Sequence, residues 1–125
     1  MKKKVNKLPD SELEVMQVLW KFEPPVKRNE IEEEMAKIHP IAQTTLLTLL
    51  TRLSDKGFVK IEKQGRSSVY TPLVSENDYQ ASESASFVKK LFHGNMSAFA
   101  SALRDSGLSK DDLLELSELL ESDQL

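Results

Sequence analysis

A mainly α-helical fold with one small β-hairpin is predicted by three observations in residues 42–73, AQTTLLTLLTRLSDKGFVKIEKQGRSSVYTPL. Leu46, Leu49, Leu50 and Leu53 recur at i, i+3, i+4 and i+7, which gives a helix one dry face. Gly57 stands where a helix C-terminal cap is expected. Beyond it, Val59 to Gln64 and Ser67 to Leu73 form two strand-like runs around Gly65-Arg66, a tight hairpin with a basic tip. The wet face of the helix holds Gln43, Thr44, Thr48, Thr51, Arg52 and Asp55. A solvated face normally carries Glu and Lys, whereas short polar side chains ended by one arginine suit close approach to base edges and phosphates. A helix followed by such a hairpin is the reading half of a winged helix-turn-helix.

Two helices are expected ahead of it. Ser11 and Glu14 fit a capping box before an apolar run, and Leu13, Val15, Met16, Leu19, Trp20 and Phe22 supply a core-facing stripe. Pro24-Pro25 ends that first helix. The second, about residues 28–38, shows Ile31, Met35 and Ile38 on one face and Glu32, Glu33 and Glu34 on the solvated one. His39-Pro40 then breaks the chain, and the short join to the leucine-faced helix is what a helix-turn-helix needs.

The second half is helical. Ser75 and Asp78 cap a helix running to about Phe92, with Tyr79, Ala81, Ala85, Val88, Leu91 and Phe92 as a broad apolar band. Gly94-Asn95 breaks it, and a short helix over about 96–105 carries Met96, Phe99, Ala100 and Leu103. After Gly107, Ser109 and Asp112 cap a last helix whose Leu113, Leu114, Leu116, Leu119 and Leu120 cover more than one face. Three short helices bury little of this by themselves, so the apolar surface is expected to find a partner chain. The expected contacts of a homodimer are Val88, Leu91, Phe92, Leu113, Leu116 and Leu120; folding back onto the first half as a monomer is the alternative. The division expected is 1–73 as the winged-helix DNA-binding domain and 74–125 as the helical dimerisation domain.

Charge follows the same division. Residues 1–73 hold 13 Lys and Arg against 10 Asp and Glu, and residues 74–125 hold 4 against 10, within a net charge of −3. A weakly basic half and an acidic half imply two jobs. The excess is small, and two copies on one duplex double the phosphate contacts. There is no cysteine among the 125 residues, so no disulfide framework and no thiolate metal site. No apolar run approaches the roughly 18 residues of a membrane span, and MKKKVNKLPD lacks the apolar stretch of a signal peptide. No direct membrane binding and a cytoplasmic location are therefore expected. His39 and His93 read as turn or helix-end residues, and no cofactor, metal or catalytic constellation is expected. The Lys2-Lys3-Lys4 arm reads as a frayed tail, with phosphate contact as the alternative.

Leu13-Glu14-Val15-Met16 with Leu19-Trp20, the run from Thr45 to Leu53 through Arg52, Lys56-Gly57-Phe58, and Tyr70 with Pro72 carry a resemblance along nearly the whole chain. The sequence resembles the BlaI/MecI/CopY family of penicillinase-type repressors. The resemblance implies a dimeric winged-helix repressor that binds a double-stranded, two-fold symmetric DNA operator. It also implies release by proteolysis in the short C-terminal helix, carried out by a membrane sensor metalloprotease. The corresponding place here is about Ser101, Ala102 and Leu103, where the staphylococcal repressors have an Asn-Phe bond. The copper-responsive branch keeps a C-terminal cysteine cluster that this chain lacks. Thr44 and Leu47 stand where those β-lactam repressors carry basic residues.

The residues expected on DNA are Gln43, Thr44, Thr48, Thr51, Arg52, Lys60, Lys63 and Arg66, with Gln43, Thr44 and Thr48 at base edges and Arg52 and Arg66 at phosphates. A winged-helix module for protein contacts, with no DNA role, is the alternative from another class, and a small-ligand inducer is the alternative to proteolysis.

Overall fold

The structure, a computed structural model, describes residues 5–122. These fall into two compact units that meet between Glu83 and Ser84, inside one helix. The first contains α1 (Asp10–Leu19), β1 (Val26–Lys27), α2 (Arg28–Ile38), α3 (Gln43–Asp55), β2 (Val59–Gln64), β3 (Ser67–Pro72) and the start of α4 (Glu76–Phe92). The second contains the rest of α4, α5 (Met96–Asp105) and α6 (Lys110–Glu121). Among the described residues, no helix is long and apolar enough to cross a membrane. The Lys2-Lys3-Lys4 arm lies outside the described residues.

The first unit is a helix-turn-helix with a wing. Val15, Met16 and Leu19 of α1, Ile31 and Met35 of α2, and Leu46, Leu49, Leu50 and Leu53 of α3 meet in one core. The α3 leucines form the dry stripe expected, and residues 39–42 join α2 to α3. The end of α3 is a Schellman motif: Phe58 N donates to Leu53 O at 2.9 Å and Gly57 N to Ser54 O at 3.0 Å. Gly57 takes the left-handed φ of +80° that this motif requires. Phe58 is then buried against the same core. The β2–β3 hairpin pairs Gln64 with Ser67, which leaves Gly65-Arg66 as a two-residue turn. Gly65 has φ +68° and Arg66 is not among the positive-φ residues, the pattern of a type II′ turn with glycine first.

Four details depart from the sequence reading. The Ser11–Glu14 capping box does not form. α1 begins earlier, with Pro9 in the N-cap position and no side-chain cap, because Pro9 O already accepts from Leu13 N at 2.9 Å. Glu14 instead lies 2.8 Å from His39 Nδ1. The helix also stops at Leu19, before Pro24-Pro25 is reached. Ile38 is 47% exposed, since it sits on the last turn of α2, past the end of the core. The sheet also has a third strand beyond the expected hairpin: β1 pairs with β3 through Val26↔Tyr70, giving the order β1-β3-β2. Two residues are too short for any periodicity to show.

The first turns of α4 pack on the winged helix. Ser75 Oγ caps α4 by accepting from Asp78 N, as expected. Tyr79, read as part of an apolar band for a partner, is buried in the first unit. Its ring lies 6.0 Å from those of Trp20 and Phe58, and its hydroxyl accepts from Leu8 N at 2.9 Å. Trp20 Nε1 donates to Val74 O, and Ser82 Oγ to Val5 O.

In the second unit Asn95 Oδ1 caps α5 and Ser109 Oγ caps α6, each accepting from the backbone N–H three residues on. Gly94 and Gly107 mark the two breaks with φ +78° and +96°. Phe87, Phe92 and Phe99 form an edge-to-face cluster with centroids 5.4–6.5 Å apart. None of residues 84–122 is buried. Leu91 is 60% exposed and Leu120 69%, and Met96 and Leu114 are similarly open.

Candidate nucleic-acid interface

All eight residues expected on DNA are exposed: Gln43, Thr44, Thr48, Thr51 and Arg52 on α3, Lys60 and Lys63 on β2, and Arg66 at the turn. The geometry of α3 follows from two stripes offset by two residues. Leu46, Leu49, Leu50 and Leu53 point into the core, and Thr44, Leu47, Thr48 and Thr51 repeat the same i, i+3, i+4, i+7 spacing. An offset of two residues is about 200° around a helix, so the second stripe faces away from the core. Leu47 therefore belongs to the outward face, where it is half-buried between threonines. It is not among the residues expected on DNA, because a leucine counts as core until its helical angle is compared with that of its neighbours.

The start of α3 is open to an anion. Ala42 occupies the N-cap position without a side-chain bond, and the first turn holds no acid. The first N–H groups of a helix have no internal acceptor, and they carry the positive end of its dipole. The N-termini of α4, α5 and α6, in contrast, are closed by Ser75, Asn95 and Ser109.

Ion pairing sorts the cations. Lys21 and Lys37 pair with Glu34, Arg28 with Glu32, and Lys56 with the buried Glu12. These pairs hold Glu12, Glu32 and Glu34 against neighbouring bases. Lys60 lies 3.6 Å from Glu62 Oε2. Alternation along β2 puts Lys60 and Glu62 on one face of the sheet and Lys63 on the other with Ile61. Among the described residues, Arg52, Lys63 and Arg66 have no carboxylate partner. The basic surface is thus narrower than the sequence implies: two full charges on the wing and one at the last turn of α3.

Two threonines of the outward stripe are oriented by the helix itself. Thr48 Oγ1 donates to Thr44 O and Thr51 Oγ1 to Leu47 O, each at 2.9 Å. Each hydroxyl proton is turned inward, so the γ-methyl group and the oxygen lone pairs are what remain for the groove.

Comparisons with known proteins agree with this geometry. A family model described as penicillinase repressor matches residues 8–122. A penicillinase repressor of Bacillus licheniformis is 36% identical over 120 residues, which span 95% of this chain and 93% of that one. A methicillin resistance regulatory protein MecI of Mammaliicoccus sciuri is 30% identical over 121 residues, 96% of this chain and 98% of that one. The solution structure of Bacillus licheniformis BlaI, monomeric form, in complex with the blaP half-operator is similar with a TM-score of 0.52 and 42% identity. It covers 63% of this chain and 94% of that one.

Proposed function

The chain belongs to the penicillinase repressor family and is a DNA-binding transcriptional repressor of the BlaI/MecI type; from that premise we propose that it holds a two-fold operator as a homodimer and is released by proteolysis. One α3 enters the major groove of each half-site, and each wing lies on the backbone. The observation that carries this reading is an exposed α3 face of Gln43 and threonines, with Asp55 at its far end as its one acid, flanked by Arg52, Lys63 and Arg66, which have no carboxylate partner among the described residues. The complex of a relative's monomer with a half-operator supports one winged helix per half-site. A two-fold dimer places its recognition helices one DNA turn apart, roughly 34 Å, which requires a palindromic site.

Gel shifts over a salt series test the interface. Arg66→Ala is expected to weaken binding to every sequence alike and to lower the slope of log K against log salt by about one per protomer, about two for the dimer on a full operator. Lys60→Ala is expected to do less, because Glu62 already neutralises part of its charge. Equal losses for both, or an unchanged slope for Arg66→Ala, would put the wing off the backbone.

Proteolysis is proposed at Ser101, Ala102 or Leu103, by a membrane-bound sensor metalloprotease in a cytoplasmic setting. The physical support lies in α5. It is a short helix between two glycine breaks, and it has no buried residue. Local unfolding there is inexpensive compared with that of the winged-helix core, and unfolding is what a protease needs. A cut after Ala102 detaches α6 and with it Leu113, Leu116 and Leu120. During induction, immunoblots are expected to show a fragment ending near residue 102 before repression ends. Full derepression with the chain intact would exclude cleavage and favour a small-ligand inducer.

A further inference from the structure

Operator preference on this chain rests on what the α3 face offers, and its Leu47–Thr48–Thr51 part is largely methyl. Thr48 and Thr51 have spent their hydroxyl protons on the Thr44 and Leu47 carbonyls, at 2.9 Å each. Leu47, half-buried and purely apolar, belongs to the same outward stripe, next to Thr48 and one turn before Thr51. Thr44 differs: residue 40, four positions earlier, lies before α3, so no carbonyl of this helix is in place to take its proton.

We infer that the Leu47–Thr48–Thr51 part of α3 selects thymine through its C5 methyl group, and that Thr48 and Thr51 serve there as methyl surfaces and not as hydrogen-bond donors. The inference deepens the DNA-binding reading and rests on it. In the major groove only thymine among the four bases presents a methyl group, and small apolar side chains are its complement. A donor-poor face has little to offer the O6 and N7 acceptors of guanine, which take Arg or Lys best. Arg52 is the one guanidinium on α3, and it lies at about 80° around the helix from Thr44, toward the edge of the stripe. The half-site bases opposite Leu47, Thr48 and Thr51 are thus thymines, with discrimination supplied by burial of methyl against methyl.

The test uses the full-length protein and a duplex that it selects from a random-sequence library. Each thymidine of that duplex is replaced in turn by deoxyuridine, which removes only the C5 methyl. At the contacted positions affinity is expected to fall about four-fold per methyl lost, the equivalent of one buried methyl-sized group. Thr48→Val, which keeps the methyl and discards the hydroxyl, is expected to stay within about two-fold of the parent and to remain sensitive to deoxyuridine. Thr48→Ser, which does the reverse, is expected to lose about four-fold per half-site, on the order of fifteen-fold for the dimer on a full operator, and to become indifferent to deoxyuridine at its position. All three positions are exposed or half-buried, so folding is not at stake.

A deoxyuridine scan that is flat at every position, while salt-dependent binding to the selected duplex persists, overturns the inference and leaves the DNA-binding reading standing. The reverse ranking, with Ser retained and Val lost, also overturns it, since the hydroxyl would then be the reader. A protein that selects no duplex over random DNA overturns both.

Discussion

Leu116→Asp combined with Leu120→Asp is expected to convert the protein to a monomer and to cut operator affinity by about 10²–10⁴-fold, the usual gain from linking two sites on one ligand. The expectation starts from an imbalance in the second unit. Leu116 is 38% exposed, Leu119 48% and Leu120 69%, on a helix whose unit has no buried side chain among residues 84–122. Chains of about 40 residues seldom fold without a disulfide, a metal or an oligomer, and this chain has no cysteine. Single exposed leucines are ordinary on protein surfaces, but a whole layer of them with no core beneath is a surface awaiting a second layer. A second copy supplies that layer by symmetry, and two buried aspartates in each protomer leave uncompensated charge in the contact. Sedimentation reads the mass and a gel shift on a full and a half operator reads the affinity. The variant is expected to treat the two duplexes alike. A parent chain that sediments as a monomer at micromolar concentration, yet binds the full operator tightly, would end the proposal.

The sequence shows some parts of this architecture because their signals are local. The α5 bounds, Met96–Asp105, follow from Gly94-Asn95 and Gly107, since a left-handed glycine and an Asn cap leave little choice. The hairpin register follows from a two-residue turn with glycine first. The exposed α3 face follows from periodicity alone. What the one-letter sequence hides depends on which partner a group meets once the chain is folded, near in the chain or far. Pro9 displaces Ser11 as the start of α1 only once Leu13 N has found the Pro9 carbonyl. β1 exists only because β3 is there to pair with it. The hydroxyl orientation of Thr48 and Thr51 is a rotamer choice made inside the helix, so the face is visible in sequence and its hydrogen-bonding sense is not. Lys60 counts as a free cation until strand alternation sets it beside Glu62.

Tyr79 is the residue whose role changes most between sequence and structure, and Tyr79→Ala is expected to destabilise the winged-helix unit although it sits on the helix that leads out of it. Its ring touches those of Trp20 and Phe58, 6.0 Å away centroid to centroid, and only 4% of it is exposed. Removing a buried aromatic side chain costs about 3–5 kcal/mol. In a domain of this size that lowers the melting temperature by on the order of 20 °C. Tyr79→Phe keeps the packing and removes only the acceptor for Leu8 N, a buried N–H that then has no partner, at about 1–3 kcal/mol. The two variants therefore separate packing from hydrogen bonding. Burial, the largest effect, holds the phenol above its ordinary 10.0; Glu83 and Asp10 push the same way, and the Leu8 bond opposes them. The fold thus favours the protonated phenol. Its contribution is fully present below about pH 10 and is lost as pH rises through the folded-state value. Tyr79→Phe is expected to remove that alkaline loss. The same contacts bear on where the first unit ends: a fragment of residues 5–83 is expected to melt well above one of residues 5–73, which lacks Tyr79, the Val74 carbonyl that receives Trp20 Nε1, and Ser82. Thermal melts of the two fragments and the two variants decide it. If Tyr79→Ala and the shorter fragment both melt within a few degrees of their parents, the first turns of α4 contribute nothing to the DNA-binding core.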